Sequence, residues 1–111
     1  MATTNFDAWW RTLDDGTKDA VAAHIALIST FGPSLGRPYV DTLKGSELRN
    51  LKELRVQHCG RAIRVLFAFT PGRSALLLVG GDKSGQRRWY DRAIRQAEAA
   101  FRQHFETRHL T

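Results

Sequence analysis

The apolar residues in the first third of the chain recur with the period of an α-helix. Two groups fall at spacings of three and four residues, which places each group along one face of a helix. The groups are Phe6, Trp9, Trp10 and Leu13, and then Val21, Ile25, Ile28 and Phe31. Asp14 or Asp15 can cap the second helix, and Gly32-Pro33 ends it because proline cannot continue a helix. The pattern predicts a short helix over residues 6–13 and a longer one that stops at Gly32.

From Leu51 onward the apolar period changes from 3.6 to 2, which is typical of β-strands. Three segments show strand character, and the last of them is continuously apolar, as in a strand covered on both faces. They are residues 51–57, 63–69 and 75–79. Glycine-bearing turns at residues 58–61 and 70–73 are short enough to join these segments as hairpins.

A long amphipathic helix from about Gln86 to Phe105 follows the strands. Its inner stripe consists of Tyr90, Ile94, Ala97, Phe101 and Phe105. The predicted fold class is therefore α+β, with two N-terminal helices, an antiparallel β-meander of three to four strands and a C-terminal helix. We expect one domain over residues 1–111, in which one layer of helices packs on one layer of strands.

Composition narrows the class of protein further. The chain has 111 residues and a single cysteine, Cys59, which excludes a disulfide framework and a cysteine-rich zinc site. No apolar run approaches the roughly 20 residues that span a bilayer, and no secretory leader pattern opens the chain. We therefore expect a cytoplasmic protein that does not bind membranes.

The basic residues are concentrated in the second part of the chain. Residues 1–34 carry two basic and four acidic side chains, a net charge of −2, whereas residues 35–111 carry fifteen and seven, a net charge of +8. A concentration of cations in one region suits a polyanion or an acidic protein partner. The alternative is a solvated basic surface that only promotes solubility.

One pair of arginines stands out in the predicted sheet. If the first hairpin has a two-residue loop, His58 lies opposite Arg61, and Arg55 lies opposite Arg64 on the face that does not carry Leu54. Like charges directly opposite each other destabilise a sheet. A protein tolerates them where an anion binds between them, or where Glu53 or another carboxylate already pairs with them.

Lys52 and His58 lie at the two ends of the same strand, on the face that carries Leu54. A histidine can move a proton near neutral pH, although a histidine at a hairpin is more often structural or exposed. No two histidines of the chain have the spacing of metal ligands, so we predict no metal site.

The glycine-rich loop at residues 80–85 lies between a strand and a helix but lacks the lysine placement of a phosphate-binding loop. Lys83, Arg87 and Arg88 surround the start of the last helix, where free backbone N–H groups favour anions. We expect Asp82 to cap this helix. Tyr90 either packs in the core or reaches a nucleotide base or phosphate.

Five stretches together resemble one protein family. They are residues 32–38 (GPSLGRP), 43–46 (LKGS), 52–55 (KELR), 64–69 (RVLFAF) and 80–85 (GGDKSG), the last leading to Trp89 and Tyr90. In this order they resemble the RelE/HigB/ParE superfamily of toxins from bacterial type II toxin–antitoxin modules, and most closely its HigB-like, phage-derived branch. The resemblance covers most of residues 6–110.

The resemblance implies a RelE-like fold and a ribosome-dependent mRNA endonuclease that halts translation. Without metal or cofactor, the 2′-hydroxyl of the RNA attacks the adjacent phosphate, and the protein orients the strand and stabilises the developing charge. By analogy Arg55 and Arg64 would clamp the phosphate. Lys52 and Lys83 would stabilise charge or donate a proton, and Tyr90 would orient the nucleotide or act as base. The supporting RNA-binding residues would be Arg61, Arg87, Arg88 and His58.

Two departures from the family pattern matter. Many relatives have a β-strand before the Phe-x-x-Trp segment, whereas here only residues 1–5 precede Phe6. Either the sheet lacks an edge strand or the start of the chain is shortened. Relatives with a double lysine after the third strand also differ, because Asp82 occupies the first of those two positions.

The resemblance also implies partners. These are an acidic antitoxin with a helix-turn-helix DNA-binding domain, the ribosome and mRNA, with no membrane and no small-molecule cofactor. Two other functions remain open at this point. One is a ParE-like inhibitor of DNA gyrase without nuclease chemistry, and the other is a basic module that binds RNA or protein.

Overall fold

The structure, a computed structural model, describes residues 1–86 and 88–109, with side chains through residue 106. Helices and strands follow one another in the predicted order. They are α1 (Thr4–Arg11), α2 (Asp15–Phe31), β1 (Val40–Thr42), β2 (Lys52–His58), β3 (Arg61–Phe69), β4 (Ala75–Asp82) and α3 (Trp89–His109). The α+β class and the order of its elements are therefore confirmed.

The first two helices begin at residues suited to capping. The hydroxyl of Thr3 accepts a hydrogen bond from the backbone N–H of Phe6, and Asp14 accepts one from the N–H of Thr17 at 2.8 Å. Hydrogen bonds from Thr17 hold the pKa of Asp14 below its ordinary value. No helix within the described residues is both long and apolar enough to cross a membrane.

The four strands form one antiparallel sheet in the order β1-β2-β3-β4. The turn between β2 and β3 contains Cys59 and Gly60 with φ angles of 50° and 74°, as a two-residue type I′ hairpin requires. This turn sets the register, so His58 pairs with Arg61 and Arg55 with Arg64, as predicted. The short strand β1 adds the fourth member of the sheet.

Helices cover both faces of the sheet. Residues of α1 and α2 form one apolar cluster with Leu54, Val65 and Phe67, and α3 forms a second cluster with Leu66 and Leu78. The expectation of one helical layer on one sheet is wrong. Consecutive residues of β3 and β4 are buried, and their side chains point to opposite faces, so helices pack against each face. The molecule has three layers.

The N-terminal residues extend the sheet beyond β4. The N–H of Thr3 donates to the carbonyl of Leu77 at 3.0 Å, and the N–H of Leu77 donates to the carbonyl of Met1 at 2.9 Å. A parallel bridge joins Ala2 to Leu77. Beyond β4 the edge of the sheet therefore carries an isolated bridge and no full N-terminal strand among the described residues.

Two glycines let tryptophan rings lie directly on β4. A Cβ atom at Gly80 would lie 2.2 Å from the ring of Trp9, and one at Gly81 would lie 2.7 Å from the ring of Trp89. Because these residues lie on opposite faces, both helical layers approach the sheet closely where β4 ends. This close packing fixes the start of α3 relative to the sheet.

Candidate anion-binding site

Arg55 and Arg64 lie side by side on the face of the sheet that α3 covers. They are directly opposite each other in β2 and β3, but their environments differ. The side chain of Arg55 is 39% exposed, whereas that of Arg64 is 9% exposed and donates to the carbonyl of Ile63 at 3.0 Å. One guanidinium can therefore meet a ligand from solvent while the other forms the buried floor of the site.

Glu53 supplies a carboxylate between the two arginines. Its side chain is 4% exposed, and its oxygens lie 3.3 Å from Nε of Arg55 and 3.8 Å from Nε of Arg64. Neither Nε atom forms a hydrogen bond with a described residue, although both are buried. The attraction is thus ionic and leaves guanidinium hydrogen-bonding capacity unused. Of the two explanations for the arginine pair, internal pairing with Glu53 is present.

Tyr90 connects α3 to this charged group. Its hydroxyl donates to Glu53 at 2.5 Å, and its ring packs edge-on against Trp89. Burial raises the pKa of Tyr90, and the hydrogen bond to the carboxylate raises this pKa further. Tyr90 is therefore a neutral phenol near pH 7. The Nζ atom of Lys83 lies 5.5 Å from the centre of the Tyr90 ring.

Four of the predicted residues thus meet at one place, which we call the arginine cluster: Arg55, Arg64, Lys83 and Tyr90, with Glu53 between them. Three positive charges and one negative charge leave a net charge of +2. A partly buried site with this surplus favours an anion more strongly than exposed lysines or arginines do, because screening by water is weaker there. The cluster is chemically suited to bind a phosphate group.

A cleft of about 430 Å³ opens beside the cluster. It is lined by His24, Pro38, Tyr39, Arg55, Gln57 and Arg64. Both arginines of the cluster therefore face a space that a ligand can enter. The other side of the cleft comes from α2 and from the segment before β1.

Three other predicted residues lie on the opposite face of the sheet. Lys52 donates to the hydroxyl of Thr42 at 3.1 Å, and Arg61 donates to the hydroxyl of Thr17 in α2. His58 lies beside Gly16 at the start of α2. Strand alternation directs these three side chains to the other helical layer. The structure therefore does not bring them to the phosphate that Arg55 would bind.

The loop before α3 contributes less than the sequence suggested. Asp82 accepts a hydrogen bond from the N–H of Ser84, and the Ser84 bonds hold the pKa of Asp82 below its ordinary value. Since α3 begins only at Trp89, the expectation that Asp82 caps this helix is wrong. Arg88 is exposed, and Arg87 lies outside the described residues.

Sequence reasoning missed two parts of this site. It treated Glu53 only as a possible partner of the arginines, although a carboxylate two residues before Arg55 in a strand necessarily shares its face. It did not consider Tyr39, which pattern alone could not place because the three-residue strand β1 is too short to show a period. Tyr39 reaches the cleft only through tertiary folding.

The fold and the site define a small, basic α+β protein with a cationic cluster on one face of its sheet. Residues 8–102 match the family described as "Phage derived protein Gp49-like (DUF891)". That match spans most of the chain, which therefore belongs to this family.

Two relatives from Mycobacterium tuberculosis are similar to the chain. It is 44% identical over 99 residues to "Putative toxin HigB2", covering 87% of this chain and 49% of the relative. It is 46% identical over 89 residues to "Putative toxin HigB3", covering 79% of this chain and 76% of the relative. The chain thus spans about half the length of the first and about three quarters of the second. No solved structure matches the chain.

Proposed function

We propose that this protein is the toxin of a type II toxin–antitoxin module and that it cleaves mRNA on the ribosome without a metal ion. The convergence of Arg55, Arg64, Lys83 and Tyr90 on one face of the sheet carries the proposal. The names of the two relatives, both of which contain the word toxin, support the first part.

The chemistry follows from what guanidinium groups do to a phosphodiester. The 2′-oxygen of the RNA forms a bond to phosphorus, and the bond from phosphorus to the 5′-oxygen of the next nucleotide breaks. Arg55 and Arg64 stabilise the negative charge that grows on the phosphate oxygens in between. Arg55 reaches the phosphate from solvent, and Arg64 supports it from below.

The proton of the 2′-hydroxyl needs an acceptor. A phenol with a raised pKa is a poor base unless its own proton can leave, and the Tyr90 hydroxyl already donates to Glu53. Tyr90 therefore acts as base by accepting the 2′-proton while its own proton passes to Glu53. Lys83, beside the Tyr90 ring, donates a proton to the departing 5′-oxygen or stabilises its charge.

An acidic antitoxin would neutralise the toxin by covering this surface. The chain has a formal net charge of +6, and the excess resides after residue 34. A flexible acidic segment complements such a surface and speeds association. Antitoxin, ribosome and mRNA are the partners that this proposal requires.

The test is induction in growing cells followed by mapping of RNA 5′ ends. We expect growth arrest with new ends that carry a 5′-hydroxyl, and a loss of cleavage of about 100-fold or more in Arg64→Ala. Arg102→Ala is the matched control, because Arg102 is 54% exposed and pairs only with Glu47 among the described residues. It should cleave as the unaltered protein does.

Each other function has its own outcome in this experiment. Intact transcripts in arrested cells would exclude the nuclease. Arrest with a DNA-damage response and inhibited supercoiling would indicate a gyrase inhibitor. Normal growth would indicate a module that only binds RNA or protein, in which arginine substitutions change affinity and its salt dependence.

A further inference from the structure

Tyr39 lies directly beside the arginine cluster although it is not part of it. The N–H of Arg55 donates to the carbonyl of Tyr39 at 2.8 Å, which continues the β1–β2 register by one pair beyond Val40 and Leu54. Residues opposite each other in antiparallel strands share a face and have Cβ atoms about 5 Å apart. The backbone therefore places Tyr39 opposite Arg55, and both residues line the same cleft.

The Tyr39 ring is exposed and yet held in place. It is 41% exposed, one of the large apolar or aromatic side chains that the core leaves uncovered. The ring of His24 lies edge-on to it at a centroid distance of 6.2 Å, and Nδ1 of His24 lies 2.8 Å from the carbonyl of Ala20 in the preceding turn of α2. One edge of the phenol is thus supported and its remaining surface is open to solvent.

The cleft joins this aromatic surface to the phosphate-binding groups. Tyr39, His24 and Gln57 line the same space of about 430 Å³ as the two arginines of the cluster. The described residues that line it carry two guanidinium groups and no carboxylate. Aromatic rings beside a cationic groove are the arrangement by which proteins hold single-stranded nucleic acid, because every base has a face that can stack.

We propose that Tyr39 is the stacking surface for the nucleobase adjacent to the phosphate held by Arg55 and Arg64, with Gln57 placed to form hydrogen bonds with the edge of that base. The proposal rests on the proposed nuclease function, since it assigns the substrate contact on one side of the cut. Tyr39 then holds the base so that Gln57 can distinguish its edge, whereas the arginines bind the phosphate of any nucleotide.

The experiment compares cleavage maps and rates of the unaltered protein with those of Tyr39→Leu and Tyr39→Phe. Loss of one stacking partner lowers cleavage about tenfold or more in Tyr39→Leu and weakens the base preference at one position next to the cut. Tyr39→Phe keeps the ring and restores both rate and preference relative to Tyr39→Leu. Phe31→Leu is the matched control, because Phe31 is 54% exposed at the end of α2 and does not line the cleft.

The outcomes separate this inference from the function on which it rests. A Tyr39→Leu protein that unfolds at the same temperature as the unaltered protein and cleaves at the same sites and rate would overturn the role of Tyr39 and leave the nuclease proposal intact. A Tyr39→Phe variant no better than Tyr39→Leu would also overturn stacking. If the unaltered protein cuts no RNA, both proposals fail.

Discussion

Replacing Glu53 with glutamine tests whether one carboxylate holds the arginine cluster together. Glutamine has nearly the same shape, and its amide oxygen can still accept the hydrogen bond of Tyr90. The substitution removes the negative charge between Arg55 and Arg64, whose Nε atoms lie 3.3 Å and 3.8 Å from the carboxylate oxygens. The guanidinium groups of the two neighbouring strands would then lie side by side on one face of the sheet without a negative charge between them.

The expected cost follows from burial. Glu53 and Arg64 are 4% and 9% exposed, and breaking a buried ion pair by removing one partner costs about 3–5 kcal/mol. Arg55 is 39% exposed, so water screens its attraction to Glu53. The hydrogen bond that the introduced amide would still accept from the Tyr90 hydroxyl lowers the cost further. We expect Glu53→Gln to lose about 2–4 kcal/mol, which for a domain of this size lowers the melting temperature by roughly 10 °C or more.

Thermal and urea unfolding of purified protein measure this loss, and inorganic phosphate adds a second readout. An anion that replaces the lost carboxylate binds only the folded state and therefore stabilises it. At constant ionic strength, phosphate should raise the melting temperature of Glu53→Gln more than that of the unaltered protein. Glu47→Gln is the matched control, because Glu47 is 62% exposed and its pairing with Arg102 contributes less than about 1 kcal/mol.

Two results would refute this reasoning. If Glu53→Gln melts at the same temperature as the unaltered protein, the carboxylate does not balance the arginines. If phosphate stabilises Glu53→Gln and Glu47→Gln equally, the space between Arg55 and Arg64 is not an anion site, and the chemistry proposed for it loses its physical basis.

Two further predictions concern the fold. Gly80→Ala places a Cβ atom 2.2 Å from the Trp9 ring, which should lower the free energy of unfolding by about 1–3 kcal/mol and change the near-ultraviolet circular dichroism. Gly36→Ala is the matched control, because its Cβ atom meets open space, and it should change neither the stability nor the spectrum. An equal effect of the two substitutions would contradict the close packing of α1 on β4. The free energy of unfolding should also fall below about pH 4. In the folded protein the Ser84 hydrogen bonds lower the pKa of Asp82. The hydrogen bond from the Glu47 N–H lowers the pKa of Glu98. Their contribution is present above the unfolded pKa and is lost as the pH falls through the folded pKa, so a melting temperature that does not fall between pH 5 and pH 3 would argue against these bonds.

Local sequence determined the three helices, the three longer strands and the register of the central hairpin. The helices follow from apolar spacing, with caps such as Asp14, and the turn at Cys59-Gly60 specifies a two-residue loop. A two-residue loop leaves one possible register, so the pairing of Arg55 with Arg64 could be predicted from the sequence on the condition that the loop has this length. These features depend on residues close together in sequence.

Only the tertiary structure decided which groups meet the arginines. Tyr90 reaches Glu53 across 37 positions of the chain, and Tyr39 reaches the cleft because the segment after α2 returns to the edge of β2. Lys52, by contrast, lies three residues from Arg55 and faces the other layer, because strand alternation outweighs closeness in sequence. Contacts of this kind depend on how layers pack, and the spacing of residues in one segment carries no information about that packing.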